Sequence, residues 1–155
     1  MAKGMKVWLS DSGKIPDKYR KVLIERNIPF EEGGHTPQRV LDCDVCVKSP
    51  GIPSTVPMVK ALMEQGTPVV SEIEFAGKFT HSKMVCITGS NGKTTTTLLT
   101  YHILKDAGLD VGLAGNVGKS LAWQVAEEPH EIYVIELSSF QLDNMYDFKA
   151  NIAVI

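Results

Sequence analysis

Short β-branched runs alternate with helix-period segments along most of the chain, and that alternation predicts βαβ units closing into parallel sheets. A first strand is expected at Lys6-Val7-Trp8-Leu9, then a helix from Pro16 to Arg26 with its proline in the first turn. An extended Pro29-Phe30-Glu31, a short helix from Pro37 to Leu41 and the strand Val45-Cys46-Val47 follow. Helical spacing resumes from Val56 to Gln65 and stops at Gly66; the strand Pro68-Val69-Val70 and a helix from Glu72 to Phe79 come next.

Polarity rises at Thr80-His81-Ser82-Lys83, directly before the strand Met84-Val85-Cys86-Ile87. The pattern therefore divides the chain into residues 1–82 and 83–155. The second stretch continues with a helix from Lys93 to Ala107, a strand from Val111 to Leu113, a helix from Lys119 to Ala126 and the strand Ile132-Tyr133-Val134-Ile135. The expected class is α/β: two successive parallel-sheet units, a partial Rossmann-like domain followed by a partial P-loop ATPase domain. Ala2-Lys3-Gly4 reads as the C-terminal cap of a helix, and Ile152-Ala153-Val154-Ile155 as a strand caught midway, so the expectation is a chain truncated at both ends.

Composition is that of a globular protein, 43% hydrophobic and 22% charged over 155 residues. A net charge of -2 provides no basic field for a nucleic-acid backbone, and Lys14, Lys18, Arg20 and Lys21 read as one solvated helix face. No apolar stretch approaches the ~20 residues that span a bilayer, and no secretory pattern opens the chain, so a cytoplasmic location is expected. Cysteine is odd in number, at 3, and Cys46 within a strand run reads as a small buried hydrophobe. The histidines lack ligand spacing, and no metal is assigned to them.

Chemistry concentrates in Thr88-Gly89-Ser90-Asn91-Gly92-Lys93-Thr94-Thr95, a glycine-rich turn between a strand and a helix. Such a turn aims backbone N–H groups at one point, where the helix N-terminus adds partial positive charge, and phosphate is its natural guest. Gly89 and Gly92 permit close approach and Ser90 and Asn91 complete the loop. Lys93 reaches the β- and γ-phosphates, Thr94 supplies a hydroxyl for Mg²⁺ and Thr95 a further phosphate contact. Ile87 stands where the general P-loop pattern has its first glycine. Glu136, at the exit of a neighbouring strand, is the expected second oxygen ligand of Mg²⁺, and the polar Ser138, Ser139 and Gln141 follow it in a loop.

Other turns are less determinate. Ala114-Gly115-Asn116-Val117-Gly118 serves equally as a helix entry or as a polar-ligand contact through Asn116. Asp11, just past the first strand, stands where dinucleotide-binding folds hold a ribose, and Ser49-Pro50-Gly51-Ile52-Pro53 suits a nucleotide contact or a rigid connector.

Residues 88 to 94 resemble the Thr-Gly-Thr/Ser-Asn-Gly-Lys-Thr/Ser loop of the Mur ligase family, in which the departure at Ile87 is normal. Ser49 to Pro53, Gly115 to Gly118 and Glu136-Leu137-Ser138-Ser139-Phe140-Gln141-Leu142 are similar to its D-glutamate-adding branch, and the resemblance covers nearly the whole chain. It implies an enzyme of peptidoglycan synthesis with separate domains for a UDP-linked substrate, for MgATP and for D-glutamate, monomeric in full length. Its implied substrates are UDP-N-acetylmuramoyl-L-alanine, D-glutamate and ATP, joined through an acyl phosphate. Asp11, Ser12, Ser49, Pro50 and Gly51 would lie near the UDP group, Asn116, Ser138 and Gln141 near the muramoyl part. Lys93 and Glu136 would act at the transferring phosphoryl and its Mg²⁺. The family's opening glycine-rich turn, modified lysine, adenine contacts and D-glutamate domain have no counterpart here, so this length of chain is expected to be catalytically incomplete. Another Mur-type or folylpolyglutamate-type ligase, or a non-catalytic P-loop nucleotide switch, are the competing assignments.

Overall fold

The structure is a computed structural model that describes residues 4–155. The Ala2-Lys3-Gly4 cap therefore falls, in its first two residues, outside the described part. Every strand pairing is parallel. β1 (Leu9–Asp11) leads through α1 (Asp17–Glu25) to β2 (Phe30–Glu32), with Leu9 opposite Phe30 and Asp11 opposite Glu32. α2 (Pro37–Leu41), β3 (Cys46–Val47), α3 (Pro57–Glu64) and β4 (Val69–Val70) follow, and β3 pairs with β4.

Within the first half the parallel pairing is confined to two short ladders, β1-β2 and β3-β4. The first strand also begins later than the Lys6–Leu9 run suggests, because only Leu9 to Asp11 face a partner strand; Asp11 is its last residue. Cys46 is half-buried, since two residue pairs make a strand too short to be covered on both faces. Val59, Leu62 and Val69 form the small core between α3 and β4.

The second half is a fuller sheet. α4 (Glu72–Gly77) precedes β5 (Lys83–Ile87), α5 (Lys93–Asp106), β6 (Val111–Gly115), α6 (Leu121–Glu127), β7 (Ile132–Glu136), α7 (Ser139–Leu142) and β8 (Ile152–Val154). Strand order is β6-β7-β5-β8. Side chains alternate across it as a pleat requires. Val85, Ile87, Val111 and Val134 pack with Tyr101 and Leu104 of α5, while Met84, Cys86, Tyr133 and Ile135 pack with Leu121 on the other face. The stretch after Glu136, expected as a loop, contains the single turn α7.

Ile73 and Ala76 of α4, on the first-unit side of the expected 82/83 division, belong to the core of this second sheet. Burying Ile73 completely contributes about 2 kcal/mol. Polar ties reinforce it. Glu72 Oε1 accepts from the Ser120 hydroxyl at 2.7 Å and from Ala122 N–H at 2.5 Å, at the start of α6. The buried Glu74 carboxylate accepts from the N–H groups of Tyr146, Asp147 and Phe148 at 2.9, 3.2 and 2.9 Å.

Candidate phosphate and magnesium site

β5 runs between β7 and β8 and delivers the chain into the glycine-rich turn at the C-terminal edge of the sheet. Gly89 has φ +131° and Gly92 φ +76°, values that a side chain would oppose. Gly92 is the N-cap of α5 and offers no side-chain acceptor, so the first N–H groups of a helix 14 residues long face outward without a side-chain cap. That arrangement, with Thr94 and Thr95 exposed on the first turn, has the geometry that backbone anion sites use. Lys93 Nζ lies over the same turn and donates to the Gly89 carbonyl at 2.7 Å. Ser90 and Asn91 are exposed at the turn's apex.

Glu136 ends β7 level with Ile87 on one side and Gly115 on the other, one residue before the loop begins. It is completely buried. Asn116 holds it twice, by backbone N–H to the Glu136 carbonyl at 2.9 Å and by Nδ2 to Oε1 at 2.6 Å. Oε2 has no protein partner. A buried carboxylate oxygen left without a donor is costly, and a hard divalent cation that prefers carboxylate and hydroxyl oxygen resolves that cost. Glu136 and Thr94 therefore fit Mg²⁺ in donor type. Gly115 has φ +95°, and a Cβ there would run into the Glu136 carbonyl oxygen, so glycine is what lets β6 close onto β7 at this point.

Thr97 carries no sequence signal within its run of threonines, apart from its i,i+3 spacing from Thr94. It is completely buried with an unpartnered hydroxyl, on the same side of α5 as Tyr101 and Leu104.

Ser138 and Gln141 are brought together by α7. Gln141 Oε1 accepts from Ser138 N–H at 2.9 Å and from its hydroxyl at 3.1 Å, and Gln141 is itself buried. The first-unit candidates lie on separate ladders. Asp11 Oδ1 accepts from Gly13 N–H at 2.8 Å beside the exposed Ser12, whereas Ser49, Pro50 and Gly51 follow β3. Their hydrogen bonds link neither group to Asn116, Ser138 or Gln141. Lys48, which no motif singled out, is buried beneath the Ser49–Ile52 turn.

Of the three free thiols, Cys86 is pushed by burial up to about 12, which leaves it an inert core residue. Among the described residues no helix is long and apolar enough to cross a membrane.

Comparison with known proteins matches both halves. The chain is 63% identical to UDP-N-acetylmuramoylalanine--D-glutamate ligase of Bacteroides fragilis over 153 residues, covering 99% of this chain and 34% of that protein. The corresponding ligases of Porphyromonas gingivalis and Chlorobaculum tepidum are 60% and 40% identical, over 99% and 98% of this chain and 34% of each. The chain spans about a third of the length of these curated relatives. The crystal structure of UDP-N-acetylmuramate:L-alanyl-gamma-D-glutamyl-meso-diaminopimelate ligase from Neisseria meningitides superposes with TM-score 0.59 at 20% identity, over 95% of this chain and 51% of that one, a likeness of fold. Residues 1–58 match the sequence model of the MurD N-terminal domain and residues 87–155 that of the Mur ligase middle domain, so the chain belongs to the Mur ligase family.

Proposed function

We propose that the chain forms the UDP-substrate side and the ATP side of a cytoplasmic ligase that joins D-glutamate to UDP-N-acetylmuramoyl-L-alanine in peptidoglycan synthesis. The observation that carries this reading is the uncapped N-terminus of α5 beside a buried Glu136 whose Oε2 lacks a partner. Relatives named for that activity support the choice of acceptor. Residues 1–82 serve the UDP substrate and 83–155 serve ATP, with α4 at the junction bracing the second sheet.

In this reading Gly89 to Thr95 hold the triphosphate, and Thr94 and Glu136 hold Mg²⁺, which supplies charge neutralisation at the phosphoryl group. Asp11, Ser12, Ser49, Pro50 and Gly51 contact the UDP portion; Asn116, Ser138 and Gln141 contact the muramoyl portion. A substrate carboxylate oxygen attacks the γ-phosphorus of ATP and ADP departs, giving an acyl phosphate. The D-glutamate amine then attacks the acyl carbon, and inorganic phosphate leaves as the amide forms. Lys93, swung from the Gly89 carbonyl to the phosphates, offsets charge on the transferring group, and the loop fixes its line of approach. No protein nucleophile is needed.

The test is calorimetric titration of the 155-residue protein with a non-hydrolysable ATP analogue and its GTP counterpart, with and without Mg²⁺, beside Lys93→Ala. Mg²⁺-dependent, adenine-selective binding that Lys93→Ala abolishes is the expected result, without ligation by this length of chain alone. Guanine preference would favour a nucleotide switch, and no binding by folded protein would sink the ATP-site reading.

A further inference from the structure

Lys48 is buried, 6% exposed, at the exit of β3. Its ammonium donates to the Ile52 carbonyl at 2.6 Å and to the Ser49 carbonyl at 3.4 Å. The same turn is closed by Ile52 N–H on the Ser49 carbonyl at 3.1 Å, so the ammonium and the backbone bond gather one short loop from two directions. Lys48 N–H is in turn fixed to the Val70 carbonyl at 2.9 Å, which ties the base of the strut to β4.

What is unusual is the charge balance. An ammonium has three donors and no acceptor, and burying it is costly unless something compensates the charge. Two backbone carbonyls offer dipoles, but Lys48 makes no salt bridge among the described residues. Above it, Ser49 and Gly51 are exposed and Pro50 is half-exposed. A cation without a countercharge, held under a solvent-facing turn, is complementary to an anionic ligand lying on that turn.

We propose that Lys48 is a positioning and charge-supplying residue of the substrate subsite: it shapes the Ser49–Ile52 turn and gives that turn the positive potential that receives the diphosphate of a uridine nucleotide. This rests on the proposed UDP-binding role of Ser49 to Gly51 and adds to it the residue that sets the turn's shape and charge. Lysine is suited to both tasks, because its compact ammonium can satisfy converging carbonyls while remaining a point charge.

UDP itself is the probe, titrated into the 155-residue protein and into Lys48→Met and Lys48→Arg at two salt concentrations. Amide exchange at Ile52 is followed in parallel, and the ATP analogue reports folding of the second unit. The expected result is UDP affinity about tenfold weaker in Lys48→Met with its salt dependence reduced, partial recovery in Lys48→Arg, and ATP-analogue affinity held within about twofold throughout. Exchange at Ile52 should quicken in Lys48→Met. A purely structural lysine would leave the salt dependence unchanged, which overturns the charge role. Unchanged UDP affinity in Lys48→Met overturns the proposal while leaving the subsite reading intact. Wild-type protein that takes the ATP analogue and ignores UDP overturns the subsite reading and this proposal together.

Discussion

Asn116 and Glu136 are joined by two hydrogen bonds, backbone to carbonyl at 2.9 Å and side-chain amide to Oε1 at 2.6 Å, and the second carboxylate oxygen of Glu136 is left without a protein partner. The pairing orients one face of a completely buried carboxylate and keeps the other available. It also couples β6 and β7 where both strands end, level with the base of the glycine-rich turn. Residues from two motifs therefore act as one unit, and any ligand of Asn116 is mechanically connected to any ligand of Glu136.

Glu136→Gln separates stability from function. The glutamine keeps an oxygen for Asn116 and removes a buried charge, so the variant should be as stable as the parent or about 1 kcal/mol more stable in urea denaturation. Its nucleotide affinity should no longer respond to Mg²⁺. A variant that is strongly destabilised yet still responds to Mg²⁺ would show that the carboxylate is structural.

Gly115→Ala should be severe. The residue sits at φ +95° and the added Cβ meets the Glu136 carbonyl oxygen, a backbone atom that cannot turn aside. A loss of about 3 kcal/mol or more is expected in chemical denaturation, or failure to fold, because relief requires β6 to part from β7. Full stability in this variant would mean that the strand ends are not held as tightly as the Asn116–Glu136 bonds imply.

The strand–turn–helix of residues 87–95 is legible because everything it needs is local: a strand, two glycines at positive φ and a helix start lie within a few residues. Glu136 was legible as a strand exit, but its burial and its pairing with Asn116, 20 residues away, are tertiary facts. α7 leaves no sequence signal because one helical turn has no periodicity to detect; Ser138 and Gln141 close it by bonding each other. The attachment of α4 to the second sheet was hidden too. Its spacing announces a helix, but only contacts with Ser120, Ala122 and residues 146–148 decide which unit it braces. The pattern places the early strand too soon, because Val7 and Trp8 satisfy a strand pattern without having a partner opposite them.

Thr97→Val replaces a buried, unpartnered hydroxyl with a methyl of similar size. Removing an unsatisfied buried polar group should raise stability by about 1 kcal/mol, read as a higher urea midpoint at unchanged slope. Nucleotide affinity should stay constant. Loss of stability would show that the hydroxyl has a partner in solution.

Glu74 sets the acid limit of the brace. Burial by itself raises its carboxyl pKa, but the N–H groups of Tyr146, Phe148 and Asp147, with the Lys78 ammonium at 3.5 Å, outweigh burial and hold it below the ordinary 4.5. A carboxyl depressed on folding binds protons more readily when unfolded, so its contribution is fully present above pH 4.5 and is lost as pH falls through the lower folded value. Glu74→Gln should therefore cost about 2 kcal/mol near neutral pH, where the ionised acceptor is replaced by a neutral one. The stability difference between parent and variant should shrink as the solution is acidified below pH 4.5, whatever the other carboxyls do, because they are common to both proteins. Denaturation curves collected across that interval measure the difference directly. A gap that stays constant with pH would mean that Glu74 holds residues 146–148 by shape alone and that its charge contributes nothing to joining α4 to the second half of the chain.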